Sequence, residues 1–234
     1  MLNIEGAVAV ITGGSGGIGM SLASKWLELG GRAVIADINE EALRRARAAL
    51  GGGVETFVCN VTKEEDAASL AAFAMEKMGQ INMVAPFAGI IKDAMMVSPD
   101  RETGKVSRKM SLADFQMVID INLTGVFLTV RECAEQMINN NCKGLICLVS
   151  STGSLGTAGQ INYSSTKAAM AVMPKVITAD KNQKVLYRII SEVPIGRLIE
   201  PEEVATLACD IYRNEALAGE TYFIHGGLRL GSKG

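Results

Sequence analysis

Short apolar runs and amphipathic stretches alternate along this chain. Ala7 to Thr12 (AVAVIT) is apolar and β-branched and closes on a glycine cluster, the pattern of a strand buried on both faces. Ile18, Leu22, Trp26 and Leu29 then recur at helical spacing until Gly30-Gly31 stops them. The same two signals repeat. Arg32 to Asp37 reads as a strand and Glu40 to Leu50 as a helix, then Val54 to Cys59 as a strand and Lys63 to Met78 as a helix. Met83 to Ala88 and Leu145 to Ser150 read as further strands, separated by a helix over Leu112 to Asn139. A last long helix starts near Tyr163 and continues through Pro174 to Asp180. Strands alternating with helices require βαβ crossovers, so the expected fold class is α/β: a single doubly wound, Rossmann-type domain over residues 1–234 with a mostly parallel sheet. Ser98 to Lys109 is polar without period and reads as a solvated surface loop.

Composition narrows the classes. With 23 Lys+Arg against 25 Asp+Glu, the formal net charge of −2 offers no electrostatic footprint for nucleic acid or an anionic membrane. No uninterrupted apolar run reaches the roughly 18 residues of a bilayer span. The first residues lack the basic and apolar regions of a secretory signal, and a cytoplasmic location is expected. The five cysteines are scattered without CxxC spacing, and His225 is the single histidine. Reduced buried thiols and no metal site are therefore expected.

Candidate chemistry begins at Thr12-Gly13-Gly14-Ser15-Gly16-Gly17-Ile18-Gly19. Gly14, Gly16 and Gly19 fit GxGxxG, a tight turn that brings backbone to a pyrophosphate at a helix N-terminus. Gly14 and Gly19 also have P-loop spacing, but Met20 stands where the phosphate-binding lysine belongs. Gly13, Ser15 and Gly17 match the GxSxG nucleophile elbow of a hydrolase, for which only His225 is available as base. The second strand ends in Asp37, 18 residues beyond Gly19. A carboxylate there accepts hydrogen bonds from an adenosine ribose and repels a 2′-phosphate, which favours NAD over NADP.

Further along, Tyr163 and Lys167 stand at i and i+4, side by side on one helical face. Among the four tyrosines, only Tyr163 has a lysine at that offset. An adjacent ammonium favours phenolate, and lowering a tyrosine from its ordinary pKa near 10 to about 7 takes roughly 4 kcal/mol. Such a tyrosine exchanges a proton with a carbonyl or alcohol oxygen.

Taken in order, these motifs resemble the short-chain dehydrogenase/reductase family, in its 3-oxoacyl reductase-like branch, over nearly the whole chain. They are TGGSGGIG at 12–19, Asp37, INLTGVF around Asn122, Ser150, YSSTK at 163–167 and His225-Gly226-Gly227. The resemblance implies Tyr163 as general acid/base, Lys167 as its pKa-lowering partner and ribose ligand, Ser150 as a hydrogen-bonding partner of the substrate oxygen, and Asn122 as holder of a relay water. It implies a dinucleotide bound by Gly13, Ser15, Gly17, Ile18, Gly19, Asp37, Ile38, Asn60, Val61, Ala88, Gly89, Tyr163 and Lys167. The activity implied is interconversion of a secondary alcohol and a ketone on a small molecule, a 3-oxoacyl or 3-hydroxyacyl thioester by first choice. A homo-oligomer, tetramer or dimer, is implied through the long helices. A dinucleotide-binding regulatory or scaffold protein without turnover is the alternative class.

The chain departs from the pattern in places. Pro86-Phe87-Ala88-Gly89 replaces the usual Asn-Asn-Ala-Gly, and Asn60 stands where an aspartate is usual. About 20 residues that the resemblance implies are missing between Asp180 and Lys181, as a stretch left out of this sequence or, as the alternative, a true internal deletion; Val185 to Ile190 can be read as a replacement strand, although Leu186, Ile189, Ile190 and Val193 space better as a helix. The segments Met95 to Lys109 and Leu155 to Gln160 are expected to shape substrate choice.

Overall fold

The computed structural model describes residues 2–178, 185–190, 200–214, 221–222 and 224. Its elements follow as β1 (Val8–Thr12), α1 (Gly17–Glu28), β2 (Arg32–Asp37), α2 (Glu40–Leu50), β3 (Val54–Val58), α3 (Glu64–Met78) and β4 (Met83–Pro86). Then come β5 (Val97–Pro99), β6 (Val106–Lys109), α4 (Leu112–Ile119), α5 (Gly125–Asn139) and β7 (Gly144–Val149). The last are α6 (Ile161–Thr178), β8 (Val185–Ile190), α7 (Pro201–Arg213) and β9 (Thr221–Tyr222). Seven strands form one sheet in the order β3-β2-β1-β4-β7-β8-β9, and every neighbouring pair is parallel.

Continuous apolar runs suit this sheet because both faces are covered. Along β1, Ala9 and Ile11 pack with Trp26, Ala205 and Ala208 on one face. Val8 and Val10 pack with Leu70, Val130 and Met137 on the other. Trp26 is fully buried; its indole donates to the carbonyl of Ala7 at 3.0 Å, and its ring meets Tyr212 edge-on at 4.9 Å. That contact fixes α1, and with it the glycine loop, against α7. Helix α7 starts on a capping box between Glu200 and Glu203 with Pro201 just inside it.

Strand order determines where a ligand can sit. The chain steps outward from β1 to β2 to β3, then returns to lay β4 on the other side of β1. The connections after β1 and β4 therefore diverge and leave a crevice at the carboxyl edge of the sheet, the usual ligand position in doubly wound folds. The loops carrying Gly13, Asp37, Ala88 and Ser150 all emerge on that edge because their strands are parallel.

Three expectations change. Ser98–Lys109 is not a plain loop: β5 and β6 pair as an antiparallel hairpin, Val97 opposite Lys109 and Ser98 opposite Arg108. The segment 185–190, better spaced as a helix though also readable as a replacement strand, is a parallel strand in register with β7 from Gly144↔Val185 to Val149↔Ile190. Helix α6 serves as its crossover, and pairing on an open sheet edge outweighs the helical period of a short apolar run. The 180–181 junction and His225-Gly226-Gly227 lie outside the described residues. Finally, Leu112–Asn139 is one helical stretch of 28 residues, by length and composition long and apolar enough to cross a bilayer, although no uninterrupted apolar run is. One face of it is spent on the core, with Val118, Val126, Val130, Cys133 and Met137 buried.

Candidate active site

The glycine loop closes on β4. Gly13 has φ +63°, and a Cβ there would lie 2.8 Å from the backbone nitrogen of Ala88. A Cβ on Gly19 would lie 2.4 Å from the carbonyl oxygen of Gly13, so only glycine lets α1 start this close to the loop. Helix α1 has Gly16 as its N-cap, with no side-chain capping bond and no acidic residue in its first turn. Its N-terminal amides therefore face outward without an internal anionic partner.

Beside them lies a cavity of about 420 Å³. Gly13, Ser15, Gly17, Ile18, Gly19, Asp37, Ile38, Asn60, Val61, Ala88 and Gly89 all line it, as the sequence suggests. Gly16, of the GxGxxG turn, lines it as well, and so do Cys59, Phe87, Ile90 and Ile121, which were not anticipated. Tyr163 and Lys167, expected among the dinucleotide ligands, are not on its wall.

Asp37 sits at the far end of the crevice. Ser15 Oγ donates to its Oδ2 at 2.5 Å, and the backbone N–H of Asn39 donates to its Oδ1 at 3.2 Å. Among the described residues, no Lys or Arg lines the cavity. Asn60 Oδ1 accepts from the backbone N–H of Thr62 at 3.1 Å and from its hydroxyl at 2.8 Å, while its own N–H donates to Asp66. Cys59 is buried, and burial first, then Asp66, push its thiol up to about 12. It is no nucleophile at neutral pH.

Past Gly89 the backbone is stitched down by amide side chains. Asn122, in a π-helical turn spanning Asp120–Thr124, accepts from the N–H of Ile90 at 2.8 Å and donates to its carbonyl at 2.9 Å. Asn122, expected to hold a relay water, also clamps the backbone here: its side-chain oxygen and an amide hydrogen are both engaged with Ile90. Asn162 donates to the carbonyl of Lys92 at 3.0 Å, and Gln160 donates to Asp93 at 2.8 Å. Asn82 makes good the missing strand-bracing asparagines from the opposite end of β4: it accepts from Val8 N–H at 2.9 Å and donates to Lys143 at 3.0 Å. None of these three was anticipated. The available signal was an amide placed beside apolar runs, where it must be hydrogen-bonded if buried.

At the end of β7, Ser150 is buried and its Oγ donates to the carbonyl oxygen of Lys167 at 2.6 Å. Lys167 Nζ donates in turn to the carbonyl of Val149 at 2.9 Å. The ammonium stands 5.8 Å from the centroid of the Tyr163 ring, within cation–π reach. Burial pulls the Lys167 pKa down to about 8. Gly153 leaves room for the tyrosine: a Cβ there would come within 3.3 Å of the ring. Ser151 instead accepts from Gly153 N–H at 3.1 Å and caps the following 3₁₀ turn. Ser150, Tyr163 and Lys167 are therefore brought to one sheet edge, Ser150 and Lys167 each bonded to a backbone carbonyl at or beside the other and Lys167 facing the Tyr163 ring, although none of the three lines the glycine-lined crevice. Tyrosine, lysine and serine at one sheet edge can exchange a proton with an oxygen atom held there.

A family model described as short chain dehydrogenase matches residues 7–191. This chain belongs to that family. Among its short-chain dehydrogenase relatives, the 3-oxoacyl-[acyl-carrier-protein] reductase of Rickettsia prowazekii is 29% identical over 255 aligned positions, covering 98% of this chain and 100% of the relative. Since those 255 positions take in 98% of 234 residues, roughly two dozen of them face no residue here. A solved short-chain dehydrogenase/reductase from Brucella melitensis, a glucose/ribitol dehydrogenase, superposes with a TM-score of 0.84 at 26% identity, covering 98% of this chain and 99% of that one. The 3-ketoacyl-(acyl-carrier-protein) reductase of the same organism, solved with NADH, gives 0.84 at 21% identity and covers 96% and 98%.

Proposed function

We propose that this dehydrogenase interconverts a secondary alcohol and a ketone with a nicotinamide dinucleotide, NAD in preference to NADP, and that its substrate is a 3-oxoacyl or 3-hydroxyacyl thioester. The linkage of Ser150, Lys167 and Tyr163 at the carboxyl edge of the sheet, the edge on which the glycine-lined crevice opens, carries this reading.

The crevice fits the dinucleotide. Gly13 and Gly19 have no room for a Cβ, and the uncapped start of α1 presents amides suited to a pyrophosphate. Asp37 suits ribose hydroxyls, and a wall with no Lys or Arg among the described residues offers a 2′-phosphate no cation to pair with. Ala88 and Gly89 offer backbone to the adenosine side. When bound, the nicotinamide supplies or accepts the hydride. Tyr163 gives its phenolic proton to the substrate oxygen in reduction and takes it back in oxidation. Lys167 steadies the phenolate. Ser150 turns its hydroxyl from the Lys167 carbonyl to the substrate oxygen.

The thioester choice draws on the Rickettsia and Brucella relatives, whose names describe 3-oxoacyl reductases. The hydrolase alternative weakens because Ser15 spends its hydroxyl proton on Asp37.

The direct test is consumption of NADH and NADPH with a panel of 3-oxoacyl thioesters and simple ketones. Turnover with NADH, and higher kcat/KM for it than for NADPH, supports the proposal. Dinucleotide binding without turnover of any carbonyl or alcohol supports the scaffold alternative.

A further inference from the structure

The β5–β6 hairpin rises beside the tyrosine. Its base carries Met95 and Met96, exposed at 52% and 59%, and Met110 donates its N–H to the carbonyl of Met96 at 3.2 Å. The base is tied to the segment leading into α6: Ala94 N–H donates to the carbonyl of Gly159 at 2.9 Å, and Met95 Sδ lies 3.9 Å from where a Gly159 Cβ would stand. Gly159 is four residues before Tyr163. Leu155, 62% exposed, stands four residues before Gly159. An apolar, conformationally adaptable mouth thus borders the site.

Outward from that mouth the hairpin turns cationic. Lys109 and Arg108 lie on β6, Lys105 precedes it, and Arg101 sits on the connecting turn. None of these four makes an ion pair among the described residues, although Arg108 is near enough to Asp114 to help hold its carboxyl below the usual range. The acidic groups nearby are mostly spoken for. Asp100 accepts from the N–H groups of Glu102 and Thr103 and from the Thr103 hydroxyl, all at 2.8–3.1 Å, which sets the turn. Asp93 accepts from Gln160, and Asp114 pairs with Lys92. Glu102 is the remaining carboxylate on the hairpin.

We propose that this hairpin is the recognition arm for the phosphates of a coenzyme A thioester. This rests on the thioester reading above and deepens it. A ligand that enters past methionines and ends in phosphate has an apolar acyl part and a polyanionic handle joined by a long arm. Along β6 the cations run from Lys109, opposite Val97 at the foot, through Arg108, opposite Ser98, to Lys105 just before the strand, roughly 13 Å of extended chain that would follow the outer part of such an arm. The handle is that of a small molecule. Two short exposed strands cannot supply the roughly 800 Å² per partner that a stable protein interface buries.

The triple variant Lys105→Ala/Arg108→Ala/Lys109→Ala tests the arm, since all three side chains are exposed and outside the core. Two substrates with one acyl group are compared, an acyl-coenzyme A and the N-acetylcysteamine thioester that lacks phosphate. In the natural protein kcat/KM favours the coenzyme A substrate. That preference falls about tenfold in the variant and falls likewise as salt rises through 0.5 M. Free coenzyme A, titrated calorimetrically into the protein, loses affinity by a similar factor in the variant. An unchanged ratio and unchanged coenzyme A affinity overturn the proposal. If neither thioester is turned over but simple ketones are, the thioester reading fails; coenzyme A affinity then decides the arm by itself.

Discussion

Ser150 and Lys167 hold each other through opposite ends. The serine hydroxyl donates to the lysine's carbonyl at 2.6 Å, and the lysine's ammonium donates to the carbonyl of Val149, the residue before the serine. The latch pins α6 to the end of β7 and fixes where Tyr163 stands.

A buried ammonium should reveal itself in stability against pH. Lys167 has its folded pKa lowered from 10.5 to about 8, so the unfolded chain binds the extra proton between those values. Folding is penalised below about 8 and the penalty fades as pH rises toward the unfolded value. Denaturant unfolding of the natural protein and of Lys167→Met, compared at pH 7 and pH 10, should show their difference moving in favour of the natural protein by up to about 3 kcal/mol. A difference that stays constant with pH removes burial as the controlling influence on this lysine.

Cofactor choice is predicted to rest on Asp37. With its carboxylate removed in Asp37→Ala, the repulsion of a 2′-phosphate disappears along with the acceptors for ribose hydroxyls. The ratio of kcat/KM for NAD over NADP should fall by at least about tenfold, a change near 1.4 kcal/mol. Ser15→Ala should leave that ratio closer to its original value and weaken NAD binding by a smaller factor, because Ser15 only orients the carboxylate. An unchanged ratio in Asp37→Ala rules out the ribose contact.

The Asn122 clamp is predicted to be structural first. Asn122 is 1% exposed and holds both polar backbone groups of Ile90. Asn122→Ala leaves those groups unsatisfied, which costs about 2–4 kcal/mol. Thermal unfolding should shift downward by several degrees. Dinucleotide affinity should fall as well, since Gly89 and Ile90 line the crevice. A variant as stable as the natural protein would show that water replaces the clamp.

Much of this architecture is legible because its information is local. Strands buried on both faces announce themselves as apolar runs, as β1 and β2 do, and Gly13 to Gly19 announces the crevice because close backbone approach tolerates no side chain. The hairpin β5–β6 escaped that reading because nothing on it is buried enough to impose a period of two. Its shape comes from the Asp100 turn and from pairing at its base. Strand β8 escaped because a six-residue apolar run fits either period, and pairing with the distant β7 decides between them. The roles of Asn122 and Asn162 depend on which backbone comes within reach after folding, here Ile90 and Lys92, 32 and 70 residues away in sequence.

The central claim is that Tyr163 handles the proton while the crevice handles the dinucleotide. The most direct measurement is Tyr163→Phe, assayed for turnover with NADH and a 3-oxoacyl thioester and, separately, for NADH binding by fluorescence titration. Turnover should fall by about a thousandfold, within the range that a positioned acid or base contributes, while NADH affinity stays within about threefold. Turnover within tenfold of the natural protein would contradict the assignment.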